Sequence, residues 1–236
     1  MMAEILKISG LRKQYSGLRP LRINALSIQA GERVALQGFD AGAAEVLVNL
    51  VTGASLPDEG TVEVCSQATD AISDGDEWLN SLDRFGIVSP RAVLLDAATL
   101  LQNLAMPLSL DIDPVPPAIV QQVQDLGAEV GLDRAVMERP VAGLDAATRA
   151  RAHLARAVAL NPALLILEHP TVGFTPGQAK PFGEIVASLA AKRDLATLII
   201  SEDQEFSSAA AGHQFVLKAS TGELKPKRRS FFGFPV

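Results

Sequence analysis

Two almost unbroken apolar runs, Ala163-Leu164-Leu165-Ile166-Leu167 and Ala196-Thr197-Leu198-Ile199-Ile200, constrain what this chain can fold into more than any other feature. A strand with one face in water alternates apolar and polar residues. A run without alternation belongs to a strand covered on both faces, and such strands are characteristic of parallel sheets. Between the two runs, residues from about Gln178 to Lys192 follow a helical pattern. A strand, a helix and a second strand in this order predict an α/β domain with a mainly parallel sheet.

The flanking sequence fills in the architecture. Residues 4–36 read as short strands with apolar positions at Ile5, Ile8, Leu11, Ile23, Leu26 and Ile28. Gly31-Glu32 is a turn, Val34-Ala35-Leu36 a short strand ending at Gly38, and Ala44 to Val51 a helix with Val46, Leu47, Leu50 and Val51 on one face. Pro57-Asp58-Glu59-Gly60 is a turn before the strand Thr61–Val64. Residues 91–160 are mostly helical, interrupted at Pro114, Pro116 and Pro117, with helices over Ile119–Val130 and Ala146–Leu160. Asn161-Pro162 stops the second of these.

Composition narrows the partners. A net charge of −6 argues against a broad nucleic-acid-binding surface. A single cysteine, Cys65, rules out an intramolecular disulfide and suits a reducing compartment. No apolar stretch approaches the ~20 residues that span a bilayer, and the N-terminus alternates like a strand rather than reading as a signal segment. The expectation is a cytoplasmic protein that reaches the inner face of a membrane only through partners.

Several segments, in order and at fixed spacing, resemble the nucleotide-binding domain of ABC transporters over about residues 4–224. They are Gly31–Gly38, Asn49–Gly53, Pro57–Val62, Asn103–Leu108, Arg151–Ala157, Asn161-Pro162 and Leu165–Thr171. The resemblance implies a P-loop NTPase-like (RecA-like) α/β core with a mainly parallel sheet, an N-terminal antiparallel β subdomain and an inserted helical subdomain at about residues 91–160. All of these belong to one cassette domain of residues 1–224, followed by a basic and aromatic tail over residues 225–236. Val172-Gly173-Phe174 is similar to cassettes of lipid-trafficking (mammalian-cell-entry type) transporters.

Placed on the family pattern, the positions that handle nucleotide are mostly replaced. A phosphate loop reads G-x-x-x-x-G-K-[S/T]: backbone amides cradle the phosphates, the Lys neutralises charge and the hydroxyl holds Mg²⁺. Gly38 keeps the first position and Gly42 some backbone freedom, but Ala43 stands for the second Gly, Ala44 for the Lys and Glu45 for the hydroxyl residue. Glu45 either occupies the positive end of the helix in place of phosphate or caps the helix from solvent. Glu168-His169 takes the place of the Asp-Glu pair at the strand end. Glu168 is a doubtful metal ligand. His169 is either a substitute base or a hydrogen-bonded strand-end histidine without catalytic work.

Pro90 stands for the glutamine that senses the γ-phosphate and can offer neither amide. Glu202 replaces the switch histidine with an acceptor aimed at the phosphate position. In the segment aligned with the signature, Leu144-Asp145-Ala146-Ala147-Thr148, Asp145 is a helix cap or an opposing charge. Tyr15 falls where the family stacks an aromatic on adenine, or is a half-exposed strand tyrosine. The tail, with four basic residues in Lys225–Arg229 and three Phe after them, suits a membrane surface or partner groove, or is a disordered end.

No functional catalytic residue and no bound cofactor are therefore expected, with ATP and Mg²⁺ as the cofactors if the family function persists. The main reading is a catalytically degenerate cassette subunit, paired with a second cassette and docked on a membrane permease. A divergent ATPase working through Glu168 and His169 is one alternative. A soluble scaffold reusing the fold is another.

Overall fold

The computed structural model describes residues 3–72 and 74–227. The chain opens with β1 (Glu4–Lys13) and β2 (Leu21–Gln29), which pair antiparallel with Ile8 opposite Leu26 and Leu11 opposite Ile23. β4 (Glu59–Val64) joins the other side of β1, and the two-residue β5 (Gln67–Ala68) ends this sheet, giving the order β2-β1-β4-β5. Alternation along β1 and β2 puts Leu6, Ile8, Ile23 and Ile28 inside the protein.

The second sheet has six strands. Four of them, β3 (Arg33–Gln37), β8 (Ala196–Ile200), β7 (Leu164–Glu168) and the edge strand β6 (Phe85–Val88), run side by side in parallel. β9 (His213–Lys218) extends it in parallel and β10 (Glu223–Pro226) closes the edge in antiparallel, so the order is β10-β9-β3-β8-β7-β6.

The two apolar runs are β7 and β8, and their lack of alternation now has a physical cause. Successive residues on a strand face opposite sides. Leu164, Ile166, Leu198 and Ile200 pack with α1 (Ala41–Val51) and the antiparallel sheet. Leu165, Leu167 and Ile199 pack with α6 (Ala146–Ala157), α7 (Ala179–Lys192) and α8 (Gln204–Ala210). Phe182 of α7 stacks on Phe206 of α8, ring centroids 5.5 Å apart. Both faces are dry, so the strands are apolar on both, and the hydroxyl of the buried Thr197 is taken up by the Leu195 carbonyl.

Between β6 and β7 lie the helices α3 (Leu100–Ala105), α4 (Pro117–Glu129), α5 (Arg134–Met137) and α6; α2 (Gly75–Ser81) precedes β6. This is a P-loop NTPase-like arrangement with an antiparallel β subdomain. Among the described residues, no helix is long and apolar enough to cross a membrane.

The structure corrects two boundaries. Helix α1 starts at Ala41, three residues before the expected Ala44, because Asp40 caps it. The tail expected from residue 225 begins inside β10: Pro226 pairs with Phe215, and Lys227 Nζ donates to Gln37 Oε1 at 2.8 Å. Arg228, Arg229 and the three Phe lie outside the described residues, so the surface-binding role of the tail is untouched by the structure.

The helical segment is joined to the sheet at close quarters. A Cβ on Gly86 of β6 would stand 2.3 Å from the carbonyl oxygen of Ala157 at the end of α6 and 2.9 Å from the ring of Pro162. Neither neighbour is a flexible side chain that can yield. Gly86→Ala is expected to cost about 1–3 kcal/mol through overpacking, read as a lowered urea midpoint at unchanged m-value.

Candidate functional site

The carboxyl ends of the parallel strands meet at one edge of the sheet, the edge at which open α/β sheets bind ligands. There the chain presents Gly38 after β3, Ser89-Pro90-Arg91 after β6, Glu168 at the end of β7 and Ser201-Glu202 after β8. Gly38 has φ +89°, and a Cβ there would come within 3.0 Å of the carbonyl oxygen of Leu217. Only glycine makes this turn without strain.

The amides of this turn are already engaged. The N–H groups of Gly38 and Phe39 both donate to Glu202 Oε1, at 2.6 and 3.1 Å. Two residues on, Asp40 caps α1: its Oδ1 accepts from the Ala43 N–H at 2.8 Å, and its carbonyl accepts from the Ala44 N–H at 2.9 Å. A helix N-terminus attracts negative charge, and here the chain supplies that charge. Tyr15 closes the site from the other side. Its ring lies close enough to Gly42 that a Cβ there would be 3.5 Å from it. Burial first, and then the Asp40 carboxylate, raise the Tyr15 phenol above its ordinary pKa.

Glu45 does neither of the two things expected of it. Because α1 begins at Ala41, Glu45 lies beyond the first turn and neither fills nor caps the helix start. It pairs instead with Arg91, Oε2 to Nη1 3.4 Å. The same Nη1 donates to Glu168 Oε1 at 2.8 Å. Glu168 is 3% exposed, and its second oxygen is buried without a hydrogen-bond partner. By the family resemblance, positions 45 and 168 are the two that face the metal. A guanidinium stands between them here.

His169 follows β7 with a left-handed backbone, φ +41°, its N–H donating to Ile200 O at 2.8 Å. Its ring Nε2 is buried and has no hydrogen-bond partner among the described residues. It lines a cavity of about 220 Å³ with Pro90, Arg149, His153 and Val172. Tyr15, Gly38, Asp40 and Ala43 line a different one of about 380 Å³. Pro90 goes with His169.

Asp145 is the cap of α6, its Oδ1 accepting from the Thr148 N–H at 2.7 Å. The loop 172–174 packs on the start of this helix: a Cβ on Gly173 would be 3.5 Å from the Ala146 methyl.

The structure therefore brings Gly38, Gly42, Ala44, Glu202 and Tyr15 together around the start of α1, and places Glu45 and Glu168 beside them through Arg91. Sequence reasoning missed Asp40 and Arg91. Asp40 carried a signal, an Asp one residue before a run of helix formers. Arg91 carried none, since its partners are 46 residues before it and 77 after it in the chain.

This geometry can be set beside known proteins. The sequence model of the ABC transporter family matches residues 21–172. The chain belongs to that family. Its sequence is 28% identical over 186 residues to the lipoprotein-releasing system ATP-binding protein LolD of Acinetobacter baylyi, covering 79% of this chain and 81% of that one. It is 26% identical over 221 residues to LolD of Psychrobacter arcticus, covering 92% and 97%. In fold it is similar to a dimeric ATP-binding cassette in a post-hydrolysis state bound to ADP and Pi. That match has TM-score 0.76 at 19% identity, over 96% of this chain and all of that one. The Clostridium perfringens cbiO1, part of the ABC transporter complex cbiONQ, gives TM-score 0.77 at 20% identity, over 94% and 87%.

The second cavity holds a titratable group with a large shift. Burial, then Arg156 and Arg149, push His153 down from 6.5 to about 4. Between those values the unfolded chain binds the proton and the folded chain does not, so this stability is complete above pH 6.5 and is lost as pH falls towards 4. His153 is partly exposed, and after discounting for solvent screening the loss is about 1–2 kcal/mol. Urea unfolding at a series of pH values should show this acid sensitivity in the native protein and a flatter profile in His153→Gln.

Proposed function

We propose that this cassette subunit no longer hydrolyses ATP, and that it contributes structure or regulation to a cassette dimer docked on a membrane permease. The observation that carries the reading is the double occupation of the sheet edge. Carboxylates of Glu202 and Asp40 hold the amides through which a cassette would grip phosphate. The Arg91 guanidinium lies between the two carboxylates at the metal-facing positions.

Electrostatics give the size of the effect. A phosphate oxygen and a carboxylate ~4 Å apart repel by about 4 kcal/mol at an effective dielectric near 20, close to a thousandfold in affinity. The chain lacks the Lys at Ala44 that would offset this. For Glu168 to take a metal, Arg91 would have to leave a nearly buried carboxylate. The residues present do not fit Mg-ATP. The ATPase reading through His169 finds no support in the loop, where Ala44 and Glu45 stand at the Lys and hydroxyl positions.

The partners follow from family membership and relatives. The LolD relatives are named for a lipoprotein-releasing system. With Val172-Gly173-Phe174, they favour a transporter for lipid or lipid-linked cargo. The exposed Val172, in the loop against α6, suits contact with a second cassette. We place the chain at the cytoplasmic face of the membrane, held there by the permease.

Isothermal titration of the chain with Mg-ATP tests this. No binding tighter than about 1 mM is expected, and a micromolar constant would overturn the reading. Repair gives a sharper measurement. Ala44→Lys with Glu45→Ser should gain little affinity alone, because Glu202 still holds the Gly38 and Phe39 amides. Adding Glu202→His should gain tenfold or more, roughly 1.4 kcal/mol.

A further inference from the structure

We infer that Arg91 is a ligand-free latch: its bridge to Glu45 and Glu168 fastens the segment 89–98 to the parallel sheet, so that this segment keeps one position with nothing bound.

The segment leaves the end of β6 and runs to the cap of α3 at Thr99. Most of its bonds go to the helical side. Arg156 of α6 donates to the carbonyl of Val93 at 2.7 Å, and Arg149 of α6 pairs with Asp96 at 3.2 Å. Asn103 of α3 holds Leu95 at both ends, its Oδ1 accepting from the Leu95 N–H at 2.7 Å and its Nδ2 donating to the Leu95 carbonyl at 3.1 Å. The amide of Ala142 donates to the Asp96 carbonyl at 3.1 Å.

Towards the sheet and α1 the picture is different. Beyond its covalent start at β6, the side-chain ties from this segment to β7 and α1 among the described residues are those of Arg91, 2.8 Å to Glu168 and 3.4 Å to Glu45. Pro90 cannot add an amide donor. One side chain thus bridges a strand end, a helix and a segment otherwise anchored elsewhere. Its partner Glu168 is 3% exposed, and a carboxylate that deep in the protein does not readily release its counter-charge. The segment so pinned carries Val93 and Leu95, 71% and 50% exposed, and the latch holds this apolar pair at a fixed place on the surface.

The inference rests on the non-hydrolytic reading above, but its test contains no nucleotide, so it can fail while that reading stands. Hydrogen exchange of the full chain, followed peptide by peptide, reads the latch directly. In Arg91→Ala the amides of 91–95 should exchange at least about tenfold faster than in the native protein, while β7 and β8 keep their protection. Arg91→Lys keeps the charge but loses the planar guanidinium that sets Nη1 between the two acceptors, and should fall between the two.

Arg91→Ala leaves a buried carboxylate without a partner and can fail to fold. Arg91→Ala/Glu168→Gln removes that charge and should show the same fast exchange in 91–95. Unchanged exchange in a folded Arg91→Ala or in the double variant overturns the latch. So does a uniform loss of protection that includes β8, which would mark Arg91 as a general stabiliser.

Discussion

The whole edge of the sheet depends on Glu202. Parallel strands with helices after them leave amide donors and a positive helix end at the carboxyl edge, whatever the sequence. Buried N–H groups must find acceptors. In this chain one carboxylate, just after β8, satisfies two successive amides after β3, and Asp40 satisfies the Ala43 amide in the first turn of α1. Two acids of the chain therefore take amides that the fold would otherwise offer to an anion.

Placing acids at this edge creates the opposite need. Glu45 and Glu168 face each other across the space beside α1, and two carboxylates there repel unless a cation lies between. Arg91 is that cation. It is tethered by one residue to Pro90, and so the cation belongs to the segment that connects the sheet to the helical part. The charge pattern at this edge is thus neutralised inside the chain: carboxylates on the amides, a guanidinium on the carboxylates. The two halves reinforce one another, since a site closed to phosphate leaves its acids no other counter-charge than a fixed one.

What could be read from the sequence follows the range of the forces involved. β7, β8 and α7 were legible because their patterns record burial on each residue in turn, and Asp145 was legible as a cap because a cap acts over three residues. Glu202 was legible as an acid facing the phosphate position through the family spacing alone. The roles of Glu45 and His169 were not. Glu45 depended on where α1 starts, which a single residue, Asp40, shifts by most of a turn. His169 depended on a positive φ at the strand end, which no sequence pattern announces. Arg91 could not be found by any local pattern, because what defines it is the meeting of two strand ends and one helix.

The two residues that looked like remnants of nucleotide binding change meaning in this light. Gly38 is required whether or not phosphate ever binds: the chain must reverse at φ +89° and pass within reach of the Leu217 carbonyl. Its presence reports the fold. Tyr15 packs near Gly42, beside a helix start that Asp40 already caps. A glycine and an aromatic at family positions are thus compatible with a site that has lost its ligand, because the fold needs the first and the closed site uses the second. The residues that discriminate are those whose only purpose is to hold phosphate or its metal. At positions 44, 45, 90 and 202 the chain has exchanged each of them for a group that either cannot hold phosphate or repels it.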